Sequence, residues 1–183
     1  MSIEPPLYIE IVSFWRAAGR KRWFAKDEAF DQEIRERFEA VHMAASRGEF
    51  ADWADEAEGC LALLLLLDQF PRNLYRGSAH SYATDPLARS LARKAVEAGF
   101  DQQVEPELRP FFYLPFEHSE DPADQDRAVE LAERLGDPDT LKWARLHRDI
   151  VARFGRFPHR NPALGRETTP EEKRFLAEGG FKG

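Results

Sequence analysis

Several features that mark particular classes of protein are rare or missing in this sequence. A single cysteine, Cys60, excludes an intramolecular disulfide framework and suits a reducing compartment. The opening MSIEPPLYIE has an acid and two prolines where a signal peptide has a basic region. The longest strictly apolar run, residues 60–67, is too short to span a bilayer. A net charge of −7 offers nucleic acid no general attraction, so we expect a soluble cytoplasmic protein that binds neither membrane nor nucleic acid.

The composition that remains is typical of a compact globular protein. The chain has 183 residues, of which 43% are hydrophobic and 32% are charged, and it contains 14 Phe and 4 Trp. This length and aromatic content favour one domain, residues 1–183, with a packed interior. Cys60 falls inside the longest apolar run, so we expect a buried and inert thiol.

Glycine and proline divide the chain into segments of helical length. Apolar residues recur at helical spacing, and the segment that is apolar on all sides after Cys60 predicts a central, buried helix. No alternating run is long enough for a strand, so the predicted fold is all-α, an antiparallel array of about seven to nine helices. The predicted helices cover residues 7–18, 27–47, 52–70, 84–98, 119–135 and 137–154, with a last short one from residue 168.

Nearly the same phrase occurs twice in the chain, the second time with a histidine inserted. Residues 68–77 read DQFPRNLYRG, and residues 155–165 read GRFPHRNPALG. Proline lacks a backbone N–H and biases the preceding residue out of the helical region. Phe70-Pro71 and Phe157-Pro158 therefore predict two helix exits made with the same chemistry.

Turn chemistry explains only part of this phrase. Asparagine can close a turn through its side chain, and glycine can supply a positive φ. The residues to which we assign these roles are Asn73, Gly77, Asn161 and Gly165. Arg72, His159 and Arg160 are left without a role in the turn.

Asp68, just before the first predicted exit, also needs an explanation. A carboxylate is disfavoured at the C-terminal end of a helix, and this one follows a run of apolar residues. It is therefore expected to be partly buried and to have a cationic partner. Arg72 and Arg76 are close in sequence, and Arg160 is a distant candidate. Such a pair is either a structural ion pair or part of a polar site.

A second polar stretch, FEHSEDPADQ, covers residues 116–125. Acids near a helix N-terminus are ordinary capping groups, which explains Glu120, Asp121 and Asp124. Glu117 and His118 are left over, and they could bind a metal or act as acid and base. The spacing matches no established zinc motif.

A histidine and a group of arginines follow. His147 lies on the apolar face of its predicted helix, where a structural role and a role in a site are both open. Arginines crowd around the second copy of the phrase, and guanidinium groups around a turn commonly hold phosphate or carboxylate groups. These arginines are Arg153, Arg156, Arg160 and Arg166.

Over nearly its whole length, the sequence resembles a bacterial family, the domain of unknown function 924 family. The matching stretches are LLDQFPRNLYRG, ATDPLA, FFYLPFEHSED and HRDIVARFGRFPHRNPALGRETTPEE. The resemblance implies an all-helical fold similar to tetratricopeptide superhelices, and it implies no established reaction. Its phrases coincide with the residues that turns and caps left unexplained, among them Asp68, Glu117 and His147.

These residues define one predicted site and three hypotheses for function. The first is a site for a small anionic metabolite, in a hydrolase or a transferase without a cofactor or metal. The second is a helical scaffold that holds a protein or peptide partner. The third is a metal-dependent hydrolase that uses Glu117, His118, Glu120 and a further histidine. The predicted catalytic residues are Glu117, His118, His147 and His159, and the predicted ligand-binding residues are Asp68, Arg72, Asn73, Arg156, Arg160 and Asn161.

Overall fold

The computed structural model describes residues 6–183, which form α-helices linked by short turns. Residues 6–183 contain no β-strand, and the all-α prediction is confirmed. Pro5, expected to precede the first helix, lies outside this range. The helices are α1 (Leu7–Trp23), α2 (Glu28–Ser46), α3 (Ala57–Leu64), α4 (Phe70–Leu74), α5 (Asp85–Glu97), α6 (Pro110–Glu117), α7 (Pro122–Leu135), α8 (Pro138–Phe154) and α9 (Pro170–Ala177).

The apolar run forms the centre of the molecule, as predicted. Residues 60–67 are all buried, and α1, α2, α5 and α6 pack around α3 and its continuation. Trp15 of α1 is fully buried, with its ring 5.5 Å from the rings of Phe70 and Phe111. Burial raises the pKa of the Cys60 thiol to about 12, which makes it inert. Among residues 6–183, no helix combines the length and apolar character needed to cross a membrane.

The prediction that Phe70-Pro71 ends a helix is wrong. A π-helical turn, Leu65–Gln69, joins α3 to α4, and the helix continues through Pro71 to Leu74 as one rod. Proline has no N–H to donate to the preceding turn. Side chains supply the missing donors: Thr84 donates to the carbonyl of Leu67 at 2.5 Å, and the Nδ1 of His42 lies 2.7 Å from that of Leu66. Partners distant in sequence thus allow the helix to pass the proline.

The second copy of the phrase has a different structure. Helix α8 ends at Phe154, and Gly155 adopts the left-handed conformation with a φ of 68°. Phe157-Pro158 then starts a 3₁₀ turn, Pro158–Arg160, so these two residues do not end the helix either. The predicted positive φ of Gly77 and Gly165 is confirmed.

Other helix boundaries differ from the predicted ones by a few residues, or about one helical turn. Gly19, expected to end α1, has a φ of 71° and kinks the helix, which then resumes to Trp23. The third helix begins at Ala57 instead of residue 52, because residues 51–55 form a 3₁₀ turn. Helices α7 and α8 form the predicted antiparallel hairpin and pack closely along each other. The last short helix, predicted from residue 168, begins at Pro170, and a capping box between Thr169 and Glu172 opens it.

Candidate functional site

Asp68 and His118 form a buried pair at the centre of the predicted site. Asp68 lies in the π-helical turn and is 1% exposed, and His118 is the residue that caps the end of α6. The Nδ1 of His118 is 2.9 Å from both carboxylate oxygens of Asp68. The π turn sets the direction of the Asp68 side chain, because it adds an extra residue to the preceding turn of the rod.

Arg72 and Asp85 extend this pair. The guanidinium of Arg72 makes two parallel hydrogen bonds of 3.0 Å to the carboxylate of Asp85, and its Nη1 is 3.4 Å from Asp68. Arg72 also donates to the carbonyl of Asp68 at 2.6 Å. Burial acts to lower the pKa of Arg72, but the two carboxylates outweigh it and raise that pKa. Arg72 therefore stays cationic and holds the two aspartates together.

Arg160 comes to the same place from the second copy of the phrase. It is 6% exposed, donates to the carbonyl of His118 at 2.9 Å and lies 3.8 Å from Asp85. The rings of Tyr82 and Phe157 lie 4.6 and 4.5 Å from its guanidinium carbon. Asp68, Arg72, Asp85, His118 and Arg160 are called the polar cluster below.

Burial and charge set the protonation states in the polar cluster. Burial acts to raise the pKa of Asp68, but the charge of Arg72 and the hydrogen bond from His118 outweigh it and hold that pKa well below its ordinary value. Burial and the charge of Arg72 lower the pKa of His118. At neutral pH Asp68 is therefore ionised and His118 is neutral, since Arg72 carries the positive charge. The Nδ1–H of His118 then points to Asp68, and Nε2 is left as a base.

Glu117 and His147 form a second buried pair beside the polar cluster. The Nδ1 of His147 is 3.0 Å from a carboxylate oxygen of Glu117 and 2.9 Å from the carbonyl of Trp143. The rings of His118 and His147 are 6.4 Å apart between centroids. The structure therefore brings the predicted residues Asp68, Glu117, His118 and His147 into one region.

His159 lies at the edge of the same region. Its ring is 5.8 Å from that of Phe157, whose other neighbour is the ring of His147 at 5.5 Å. Burial, and then the charge of Arg160, lowers the pKa of His159 to about 3. The His159 side chain is therefore neutral at physiological pH.

Other predicted site residues are engaged elsewhere. Arg156 forms two hydrogen bonds, of 2.7 and 2.9 Å, with Glu172 of α9, and Asn161 donates to the same carboxylate at 3.1 Å. The hydrogen bonds from Arg156 lower the pKa of Glu172 to about 2. Asn73 donates to Asp31 of α2 at 2.7 Å, because it is helical and does not close a turn.

The arginines around the second phrase meet acids of the protein itself. Arg153 pairs with Glu171 at 3.0 Å, and Arg166 makes hydrogen bonds of 2.7 and 2.9 Å to Glu120. The explanation of Glu120 as a capping group was wrong, since its carboxylate also accepts the backbone N–H of Phe157 at 2.8 Å. The sequence separation between these partners hid the pairing, and Arg153, Arg156 and Arg166 are therefore no sign of a ligand.

Sequence reasoning missed three residues that shape the site. We interpreted Asp85 only as part of a helix start. The sequence signal for it was an acid in the first turn of the helix, next to Thr84. Tyr82 carried no signal. Gln125, fully buried in α7, donates at 2.6 Å to the carbonyls of Glu117 and Ser119 and thereby fixes the corner that presents His118.

A metal centre receives no support from this geometry. Within residues 6–183, no group of three or more His, Cys, Asp or Glu side chains is arranged to hold a metal ion. Glu120, which the metal hypothesis requires, is bonded to Arg166.

Comparison with known families places the chain. The model of a family described as bacterial protein of unknown function, DUF924, matches residues 11–180. The chain belongs to this family. It is similar to a solved structure, the protein of unknown function ATU0120 from Agrobacterium tumefaciens, with 57% identity and a TM-score of 0.92 over 94% of this chain and 98% of that one. No curated protein matches.

Proposed function

We propose that the polar cluster binds a small anionic ligand in the cytoplasm and that His118 acts on it as a base. The observation that carries this proposal is the state of Arg160. This guanidinium is nine-tenths buried, and its Nε forms no hydrogen bond within residues 6–183. Its nearest carboxylate, on Asp85, is already held by the two hydrogen bonds from Arg72.

A buried guanidinium with an unused donor is costly unless a ligand satisfies it. Desolvation and the nearby charge of Arg72 lower the pKa of Arg160 to about 10, which shows that its present surroundings stabilise the cation poorly. A phosphate or carboxylate beside it would offset both effects, since a hydrogen bond to a charged group contributes about 1.5–3 kcal/mol. This supports an anion as the ligand.

The neighbouring pair suits proton transfer. Asp68 orients the imidazole of His118 and leaves Nε2 free to take a proton from a water or a substrate hydroxyl. The oxygen would then attack a phosphorus or acyl carbon, and the bond to the leaving group would break as that group receives a proton. We therefore propose hydrolysis or group transfer on a phosphate- or carboxylate-bearing metabolite. Glu117 with His147 would be the second acid–base pair.

Titration calorimetry with inorganic phosphate tests the binding. We expect the wild-type protein to bind phosphate at about the millimolar level, as is typical of a few charged hydrogen bonds. Arg160→Met keeps an unbranched, apolar side-chain stem but removes the guanidinium and its charge, and it should weaken binding about tenfold or more. Arg153→Met is the matched control, because Arg153 is exposed and pairs with Glu171.

The proposal fails if phosphate, sulfate and malonate all give no heat of binding and no shift in the melting temperature of the wild-type protein. It also fails if Arg160→Met, shown by circular dichroism to be folded, binds phosphate as tightly as the wild type does. Equal loss in Arg153→Met would show that the effect is one of net charge.

A peptide-binding scaffold is the second candidate, and one observation favours it. A cleft of about 280 Å³ lies between α5, α6 and α7, and Arg109, Arg127 and Arg134 line it. Asp101 also lines the cleft, and Arg127 and Arg134 share Glu130, so Arg109 is the arginine offered to an acidic peptide. The predicted similarity to tetratricopeptide superhelices agrees with such a use. Fluorescence anisotropy with a labelled oligoglutamate peptide, compared with Arg109→Ala, tests it: no binding to the wild type would end this candidate.

A further inference from the structure

The residues after α9 fold back over the candidate site. The ring of Phe181 lies 4.6 Å from the ring of His147 and 5.1 Å from that of His159, edge-on to both. Its third neighbour is Trp143, with ring centroids 6.2 Å apart. Phe181 therefore covers two of the predicted catalytic histidines.

Two glycines make this fold-back. Gly179 has a φ of 91°, and the N–H of Gly180 bonds to the carbonyl of Phe175 at 2.9 Å. A Cβ at Gly180 would lie 2.5 Å from that carbonyl oxygen, so a larger residue cannot make the same turn. Beyond it, residues 181–183 form no backbone hydrogen bond within the described chain, and they are held by the packing of the Phe181 ring and of Gly183, which lies against the ring of His159. Such a segment can move away at low cost.

Two buried polar atoms in this region have no hydrogen-bond partner in the described part of the chain. The Nδ1 of His159 and the Nε of Arg160 are buried, and neither forms a hydrogen bond among residues 6–183. Buried polar groups are normally satisfied, and each exception needs an explanation, of which a functional site is one. The apolar ring of Phe181, edge-on to His159, is a poor partner for the Nδ1 of that histidine.

We infer that residues 179–183 are a lid over His147 and His159, beside the polar cluster, and that the ring of Phe181 holds the place of a planar, uncharged part of the ligand. The inference rests on the proposed function and narrows its ligand class. The ligand would be an anion on an aromatic or heteroaromatic group. Its charged end would meet Arg160 and His118, and its ring would displace Phe181 from the edges of His147 and His159.

The lid itself can be tested without any anion. Carbethoxylation of histidines by diethyl pyrocarbonate, followed by mass spectrometry, reports their accessibility. In Phe181→Ala, His147 and His159 should react at least about fivefold faster than in the wild type. This factor corresponds to the free energy of one or two aromatic contacts, which the variant loses. His80, on an exposed turn, is the internal reference. Phe181→Leu keeps an apolar cover and should stay within about twofold of the wild type.

The ligand class is tested by comparing phenyl phosphate with inorganic phosphate on the same variants. Phenyl phosphate should bind Phe181→Ala about tenfold more tightly than it binds the wild type, because its ring enters the space of the deleted one. Inorganic phosphate should change by less than about twofold, since it does not reach that space.

The outcomes separate the two proposals. If neither compound binds any variant, the proposed function fails and takes the ligand class with it. If inorganic phosphate binds and phenyl phosphate gains nothing in Phe181→Ala, only the present inference is overturned. Unchanged reactivity of His147 and His159 in Phe181→Ala would overturn the lid whatever binds.

Discussion

The Nδ1 of His118 lies 2.9 Å from both carboxylate oxygens of Asp68, between the end of α6 and a π-helical turn in the central rod. Fifty residues separate these two side chains in sequence. Their contact is decided by how two helices pack, and Arg72 and Arg160 close around it. In this arrangement the buried carboxylate of Asp68 has partners, and it orients the imidazole of His118.

Asp68→Asn tests how strongly the polar cluster depends on this carboxylate. The variant leaves Arg72 buried with only one carboxylate, so we expect the free energy of unfolding to fall by about 3–5 kcal/mol. Urea denaturation followed by circular dichroism measures it. Asp52→Asn, at an exposed position, is the control and should stay within about 0.5 kcal/mol. A loss below 1 kcal/mol in Asp68→Asn would show that the cluster does not need this charge.

The hydrogen bond from Thr84 to the carbonyl of Leu67 should stabilise the protein, because Pro71 has no backbone N–H to donate in this turn. Thr84→Val is expected to cost about 1–2 kcal/mol of unfolding free energy, since it leaves a buried carbonyl without a donor. In Pro71→Ala, a backbone N–H returns to this turn, and the cost of Thr84→Val should shrink by about 1 kcal/mol. A double-mutant cycle of the four proteins measures this coupling. Additive effects would contradict the explanation.

Glu120→Gln should loosen the loop that carries Arg160. The carboxylate accepts two hydrogen bonds from Arg166 and one from the N–H of Phe157, and these hold its pKa low despite burial, which would raise it. We expect a loss of about 2 kcal/mol and faster hydrogen exchange at the amide of Phe157. Glu171→Gln, at an exposed pair, should cost no more than about 0.5 kcal/mol. Equal effects would mean that burial of Glu120 adds nothing.

His159 should make stability depend on pH. Its pKa is about 3 in the folded protein and about 6.5 when unfolded, so below pH 6.5 the unfolded chain binds a proton that the folded chain does not. The free energy of unfolding then falls as pH falls, by about 1.4 kcal/mol per unit.

Comparison with His159→Gln isolates this contribution, because His42 and His118 also have lowered pKa values and add to the same trend. Between pH 6.5 and pH 5, the wild type should lose about 2 kcal/mol more than the variant. Urea denaturation at several pH values measures the difference. Parallel curves would show that His159 is accessible to protons in the folded state.

Local sequence signals predicted the helices and most of their ends. The proline, aspartate and glycine signals at the starts and ends of α7 and α8 act within one turn, and the structure follows them. The apolar run around Leu64 also required burial on every side, wherever the other helices lay. Pro71 was the exception, because its effect on the helix depends on Thr84 and His42, donors that only the folded chain brings near.

The candidate site, like the fold, was predicted from the sequence only in part. The sequence by itself determined that Asp68 had to be buried with a cation and that Glu117 and His118 exceeded what a helix cap needs. Only the tertiary structure decided that Arg72 is shared between Asp68 and Asp85, that Arg156 is taken by Glu172, and that Phe181 returns over the histidines. Charge pairing and ring packing act over a few ångströms in space, and sequence separation says little about such distances.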